Sequence, residues 1–289
     1  MHFSLTEEQR LIVDTTREFV VNELYPHEAE IETTGRLRPE LRDEIKRKAI
    51  GAGLYAANMP AEVGGAGLDT LTWILYEREL GRANYALHWT CVARPSNILM
   101  ACEGEQRERY LFPAIRGERS DCLAMTEPGA GSDLRGMKTR ARREGDDFII
   151  NGTKRYITNA RQADVFIVMA RTVEGTRDAS GISAFIVPAG TPGLSCGAAD
   201  KKMGQDGSAT SEVYFDEVRV PASALIGGRE GGGFKTAMRG INHARLHVAV
   251  TCVGQAQRLM EEALSYTMNR RQFGQALAEF QLVQAQLLS

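Results

Sequence analysis

The sequence predicts an α+β multidomain chain: an N-terminal all-α domain over 1–120, a middle antiparallel β-barrel or sandwich over 121–229, and an incomplete C-terminal α-helical bundle over 230–289. Three observations predict it. Apolar residues recur with a helical period as far as residue 120. Short apolar runs and strand-like alternation then continue to Pro221, with no helical segment between them. Finally a Gly-rich stretch, Gly227-Gly228-Arg229-Glu230-Gly231-Gly232-Gly233, returns the chain to a helical period.

Thr6-Glu7-Glu8-Gln9 has the form of a capping box and opens the first helix, in which Leu11, Ile12, Thr15, Phe19 and Val20 share a 3.6-residue period. Leu41, Ile45, Lys48 and Ala49 repeat that period. A Gly/Pro-rich break over 59–67 precedes a helical run over 71–80, and Pro113 and Gly117 close this part. In the second part Phe148-Ile149-Ile150 leads into Asn151-Gly152, a dipeptide suited to a type I′ hairpin turn, and Lys154-Arg155-Tyr156-Ile157 is read as the returning strand. The apolar runs 165–170 and 182–187 fit buried strands, and Val213-Tyr214-Phe215 with Val218 and Val220 completes the set. No GxGxxG follows a strand, so a Rossmann site is not expected. In the third part Phe234, Met238, Ile241, Val248, Cys252, Ala256, Leu259, Met260 and Ala263 are read as one apolar face of a long helix. A second helix is read from about Leu277 to Ser289. Its Leu282, Val283, Leu287 and Leu288 need cover from a partner chain or from further sequence, so this domain is read as truncated.

Charge and cysteines exclude several functions. With 35 Lys+Arg against 37 Asp+Glu there is no electrostatic case for binding nucleic acid or an anionic membrane. Cys91, Cys102, Cys122, Cys196 and Cys252 are scattered without CxxC or CxxH spacing, which disfavours a disulfide framework and a metal site. The N-terminus lacks the form of a secretory signal, and no apolar run approaches the ~18 residues of a membrane span. A cytoplasmic or mitochondrial-matrix-like location is expected.

Two separated stretches carry the chemistry. Leu123-Ala124-Met125-Thr126-Glu127-Pro128-Gly129-Ala130-Gly131-Ser132-Asp133 reads as a tight loop. Gly129 and Gly131 tolerate φ > 0 there, successive N–H groups form a nest for a pyrophosphate, and the Ser132 hydroxyl adds a donor. Tyr156-Ile157-Thr158-Asn159 puts a hydroxyl and an amide at a polar break in an apolar strand. Together they point to a large phosphate-bearing redox cofactor lying across the β-domain. Plainer readings stand beside this one. The loop also fits an ordinary Glu-Pro-Gly turn, Tyr156 a core aromatic, Thr158 a strand threonine, Arg245 a surface arginine and Asp133 a loop brace. His243 and His247 share a helical face, but a metal site needs further ligands.

In this order the motifs resemble the acyl-CoA dehydrogenase family of flavoenzymes. Four stretches carry the resemblance: Pro60-Ala61-Glu62-Val63-Gly64-Gly65-Ala66-Gly67; the loop from Thr126 to Asp133; Lys201-Lys202-Met203-Gly204 with Val213-Tyr214-Phe215-Asp216-Glu217-Val218-Arg219-Val220-Pro221; and Arg270-Arg271-Gln272-Phe273-Gly274 with Phe280-Gln281. The resemblance implies FAD as cofactor, an acyl-CoA thioester as substrate, and α,β-dehydrogenation to the trans-2-enoyl-CoA. It implies that Leu123, Ala124, Met125 and Thr126 run along the flavin ring, flanked by Tyr156, Ile157 and Thr158. Gly131 and Ser132 are implied to meet the cofactor, and Ser132, Asn242 and Arg245 the acyl-CoA. Arg270, Phe273, Phe280 and Gln281 resemble residues that reach FAD on a neighbouring subunit, which implies a homo-oligomer, a tetramer or dimer. An electron-transfer flavoprotein is the implied electron acceptor. The base is implied to be a Glu on a later helix than this sequence contains; a minority of the family carry it where Ala244 stands. No base is therefore assigned, and the 289 residues alone are expected to be inactive. The alternatives are an acyl-CoA oxidase, a flavin monooxygenase-like relative, or a non-catalytic fragment that binds FAD or acyl-CoA.

Overall fold

Thr6 caps helix α1 (Glu7–Phe19) through both arms of the capping box: its hydroxyl accepts from the Gln9 N–H at 3.2 Å, and Gln9 Oε1 accepts from the Thr6 N–H at 3.1 Å. The computed structural model describes residues 4–173, 175 and 178–288. Helices α2 (Glu28–Thr34), α3 (Pro39–Gly51), α4 (Thr70–Leu80) and α5 (Phe112–Ile115) complete the first part. Phe19 and Val20 are buried as expected and Ile12 packs against the same core, with Val13 and Thr16 added to that face, while Leu11 is exposed. In α3 Leu41, Ile45 and Ala49 are buried as expected, whereas Lys48 reaches outward to Glu23 and Glu44. Phe19, Leu24, Ile45, Trp73, Tyr76 and Leu80 share one core, so α1, α3 and α4 bury their apolar faces against each other.

Strands β1 (Asp121–Ala124), β2 (Arg140–Glu144), β3 (Asp147–Thr158), β4 (Val165–Arg171), β5 (Ile182–Pro188), β6 (Leu194–Ala199) and β7 (Thr210–Pro221) form one sheet. Most pairings are antiparallel. The exceptions are β1 on β4, parallel over four residues, and one parallel bridge between Arg140 of β2 and Arg171 of β4. The apolar runs are strands β4 and β5, buried on both faces. Val165, Ile167 and Met169 pack toward helices, while Phe166, Val168 and Ala170 pack inside the sheet.

Asn151-Gly152 is not a turn. The β2–β3 hairpin turns at Gly145, where φ is 61°, and Asn151 lies within β3. The Asn151 side chain is spent across the sheet, donating to Glu217 Oε1 at 2.6 Å and accepting from the Glu217 N–H at 2.9 Å. Gly152 sits where the β3–β7 register shifts, with a Cβ there falling 2.5 Å from Thr139 Oγ1.

Helix α6 (Gly233–Asn269) is the long helix of the third part, followed by the short pair β8 (Arg271–Gln272) and β9 (Gln275–Ala276), a 3₁₀ turn at Leu277–Glu279, and α7 (Gln281–Leu288). Ser289, the expected end of α7, lies outside the described residues. The expected apolar stripe of α6 faces the core only at its start, where Phe234 and Ile241 pack inward beside buried Ala237. Further along, His247, Thr251 and Gly254 are buried instead, while Val248, Cys252, Leu259 and Met260 are exposed. Close approach to α4 decides this. A Cβ on Gly81 would lie 2.4 Å from Thr251 Cα, and one on Gly254 would lie 2.1 Å from the Arg78 carbonyl oxygen. Among the described residues no helix is long and apolar enough to cross a membrane.

Candidate functional site

The end of β1 delivers Leu123, Met125 and Thr126 to one wall of a cleft of about 330 Å³. The loop beyond is tied down from inside. Buried Glu127 accepts from the Lys138 N–H at 2.6 Å and the Thr139 N–H at 3.0 Å, and pairs with Lys154 of β3 at 2.8 Å. Lys154 also donates to the Met125 carbonyl at 3.1 Å. Burial pushes the Lys154 ammonium down to about 8 although Glu127 opposes it. Burial works against the Glu127 charge too, but Lys154 and the two N–H donors outweigh it and hold the carboxyl below its usual range. Neither Gly129 nor Gly131 uses the positive φ it tolerates; a Cβ on either would point into open space. Asp133 braces the loop by accepting from the Arg135 N–H and guanidinium.

β3 reaches the same wall through a bulge. Lys154 pairs with Val213 and Ile157 with Ser211, so two residues of β3 oppose one of β7. Tyr156 takes the left-handed conformation there, φ 58°, which turns its ring outward under the Arg155 guanidinium. Ile157 and Thr158 then line the cleft beside Thr126. The polar break is a bend that aims side chains, and Tyr156 is a surface aromatic, not a core one.

The opposite wall is built by α4 and α6. Their close packing brings Glu77 Oε2 to 2.8 Å from His247 Nδ1, with both side chains buried. Trp89 lies against the His247 ring at 4.5 Å, and Trp73 stacks on His243 at 3.8 Å. Behind them His88 is fully buried, with neither ring nitrogen bonded; burial, with His247 nearby, pushes it down to about 3. Burial also lowers His243. At the cleft's side Arg94 pairs with Asp121 at 2.7 Å, both buried.

A second groove of about 500 Å³ adjoins the first, since Ile241 lines both. It brings together Ser132 of the loop and Arg245 of α6. Arg245 is exposed and donates to Asn242 Oδ1 at 3.0 Å.

The chain's three parts each find a counterpart among known proteins. Residues 6–118 match the acyl-CoA dehydrogenase N-terminal domain, 122–218 the middle domain and 231–289 the C-terminal domain. The chain belongs to the acyl-CoA dehydrogenase family. The family's members are oxidoreductases that use FAD. The human mitochondrial short-chain specific acyl-CoA dehydrogenase is 36% identical over 290 residues, covering 98% of this chain and 68% of that protein. A structure described as the electron transferring flavoprotein of Acidaminococcus fermentans superposes with a TM-score of 0.90 at 34% identity, over 100% of this chain and 75% of that one. A glutaryl-CoA dehydrogenase from Mycobacterium smegmatis in complex with FADH2 gives 0.87 at 32% identity, over 98% of this chain and 71% of that one.

The cleft suits the family's flavin. Among the described residues the Thr126 and Thr158 hydroxyls have no protein partner, and Leu123, Met125 and Ile157 supply an apolar wall beside them. Five of the expected cofactor positions put no side chain into the cleft or groove. The Ala124 side chain is buried in the sheet's own core, which leaves only its backbone for a ligand. Arg270, Phe273, Phe280 and Gln281 line neither cleft nor groove; they follow α6, with Phe273 almost fully exposed and edge-on to Phe280 at 6.5 Å. Sequence reasoning missed Glu77, Trp73, Arg94 and Asp121. The one available signal was Glu77 four residues after Trp73 on one helical face, and it acquires meaning only when α6 packs on α4.

Proposed function

We propose that the chain binds FAD and α,β-dehydrogenates an acyl-CoA thioester to the trans-2-enoyl-CoA. One observation carries this reading. The cleft lined by Leu123, Thr126 and Thr158 continues past Ile241 into the groove that holds Ser132 and Arg245. A ligand with a reactive acyl end and a long polar handle has matching surfaces in that order. FAD, when bound, supplies the acceptor for the β hydrogen, which leaves as hydride.

Backbone groups of 123–126 and the Thr126 and Thr158 hydroxyls hold the flavin's polar edge, while Gly131, Ser132, Tyr156 and Ile157 contribute contact. Ser132, Asn242 and Arg245 hold the CoA side of the substrate, and Arg94 with Asp121 braces the cleft. Holding the Cα–Cβ bond in one orientation supplies rate through positioning. Ala244 lines the cleft with a methyl group, and Glu77 is engaged by His247, so the carboxylate that takes the α proton is assigned to sequence following residue 289. The functional division is taken as 1–120, 121–229 and 230–289. An electron-transfer flavoprotein is the proposed acceptor, consistent with the description of one similar structure. The proposed assembly is a homo-oligomer, a tetramer or dimer, in the cytoplasm or a mitochondrial-type matrix, in which Arg270, Phe273, Phe280 and Gln281 reach a neighbour's FAD.

Anaerobic addition of short-chain acyl-CoA to the full-length, FAD-loaded protein should bleach the flavin. Arg245→Ala should raise KM with little change in kcat. A protein that retains no flavin when FAD is supplied contradicts the reading, and rapid reoxidation of the reduced flavin by air favours the oxidase alternative.

A further inference from the structure

The wall of the cleft built by α4 and α6 is polar where a fatty acyl tail would want hydrocarbon. Glu77 and His247 are each 2% exposed, and His247 Nε2 has no partner. Neither does His243 Nε2, nor the indole Nε1 of Trp73. All four side chains line the same cleft as Thr126 and Thr158. Buried polar groups in folded proteins are nearly always bonded, so several unbonded ones converging on one cavity point to a ligand that supplies what is missing.

Their chemistry narrows that ligand. The Glu77 carboxylate takes up His247 Nδ1, which leaves Nε2 as the hydrogen-bonding atom of that ring open to a ligand. Trp73 Nε1 can only donate. The cavity therefore offers the Trp73 donor and the Nε2 atoms of His247 and His243. A hydroxyl both donates and accepts, so it can pair with Trp73 Nε1 and with His247 Nε2 in either role; a methyl pairs with none of them. A carboxylate would bring a second negative charge toward Glu77. Arg94 is the cleft's one arginine or lysine among the described residues, and Asp121 already neutralises it at 2.7 Å.

The geometry points to an acyl group that carries a neutral hydroxyl at the end remote from the thioester, held between His247 Nε2 and Trp73 Nε1. This substrate class rests on the acyl-CoA reading above. A plain acyl tail leaves both nitrogens sealed from water and unpaired, and selectivity follows from that penalty rather than from added contact.

The test compares butyryl-, hexanoyl- and octanoyl-CoA with their ω-hydroxy and ω-carboxy counterparts on the full-length, FAD-loaded protein. Steady-state turnover and calorimetric binding of the matching enoyl-CoA products are both read. At one chain length at least, the ω-hydroxy form should be preferred over the plain form by about 100-fold in kcat/KM, with tighter product binding. His247→Phe keeps a ring and removes Nε2, and should erase most of that preference; His247→Gln keeps a hydrogen-bonding side chain and should retain part of it. Equal use of plain and hydroxy forms at every length overturns the inference. So does preference for the carboxylates, or a preference that survives His247→Phe. Glu77→Gln abolishing turnover of all substrates alike would put Glu77 at the reacting carbon instead, which also overturns it. Should no acyl-CoA of any kind bind or bleach the flavin, the acyl-CoA reading itself fails. If the variants do not fold, the wild-type comparison still decides.

Discussion

Lys154 and Glu127 meet at 2.8 Å with 0% and 5% of their side chains exposed, and that pair fixes the loop to the sheet. A buried ammonium has to be compensated, and Glu127 does so while also accepting two backbone N–H groups from the far end of the loop. Glu127→Ala removes what keeps buried Lys154 protonated, so folding must discharge the amine or bury an uncompensated charge, and it frees 138–139. Unfolding free energy in denaturant should fall by roughly 3–5 kcal/mol, with loss of FAD retention. Lys154→Met combined with Glu127→Gln should recover more than half of that stability, because no uncompensated charge remains. A Glu127→Ala protein as stable as wild type would refute the assignment.

The two kinds of glycine in this chain should respond oppositely to alanine. Gly254 has the Arg78 carbonyl oxygen 2.1 Å from where a Cβ would go, so Gly254→Ala must push α6 off α4, at a cost of about 1–3 kcal/mol. Gly131 has nothing within 4 Å, so Gly131→Ala should leave the melting temperature within about one degree of wild type. Its FAD or acyl-CoA affinity should nevertheless fall, because the open space above the loop is where a ligand approaches. Unchanged affinity for both ligands would show that the loop does not hold them closely.

Acid should destabilise the fold through His88. Its folded pKa, about 3, lies below the unfolded value, so the unfolded chain takes up the proton first as pH falls. The His88 contribution is complete above about pH 6.5 and is lost progressively down to about pH 3, worth roughly 5 kcal/mol at most. Urea midpoints measured across that window should fall more steeply for wild type than for His88→Phe, which keeps an aromatic ring and removes the titration. Parallel pH profiles would dismiss His88 as the cause.

Local chemistry was legible where a residue's partners lie close in sequence. The Thr6–Gln9 box needs four consecutive residues, and β4 and β5 announce themselves as unbroken apolar runs. Partners distant in sequence defeated the reading. Asn151-Gly152 carries turn chemistry, yet Glu217 takes up the Asn151 amide and holds the segment in a strand. Beyond Ile241 the buried face of α6 was misread for a related reason. Small residues at Gly254 and Thr251, set against Gly81, win contact with α4 because they allow close approach, while the larger apolar side chains stay outside. Half of the site was visible in Leu123, Thr126 and Thr158. The half made by Glu77 and His247 joins residues 170 positions apart.

The exposed apolar row on α6 makes the last prediction. Val253, Leu259, Met260, Leu264 and Tyr266 are uncovered, and Phe273 follows at 94% exposure. At 1.5 Å per residue, the end of α6 at Asn269 lies about 40 Å along the helix from Ile241, and Phe273 follows it, too far to serve its own cleft. Under the proposed assembly the same row seats a second copy and carries Arg270 and Gln281 to that copy's FAD. Leu259→Glu with Met260→Glu should therefore convert an oligomer into monomers by light scattering, and FAD should dissociate at least about tenfold more readily, although neither residue touches the cleft. Charges on a solvated face would leave both properties unchanged. A wild-type protein that is monomeric and holds FAD tightly would eliminate the shared site and return Arg270, Phe273, Phe280 and Gln281 to a local role.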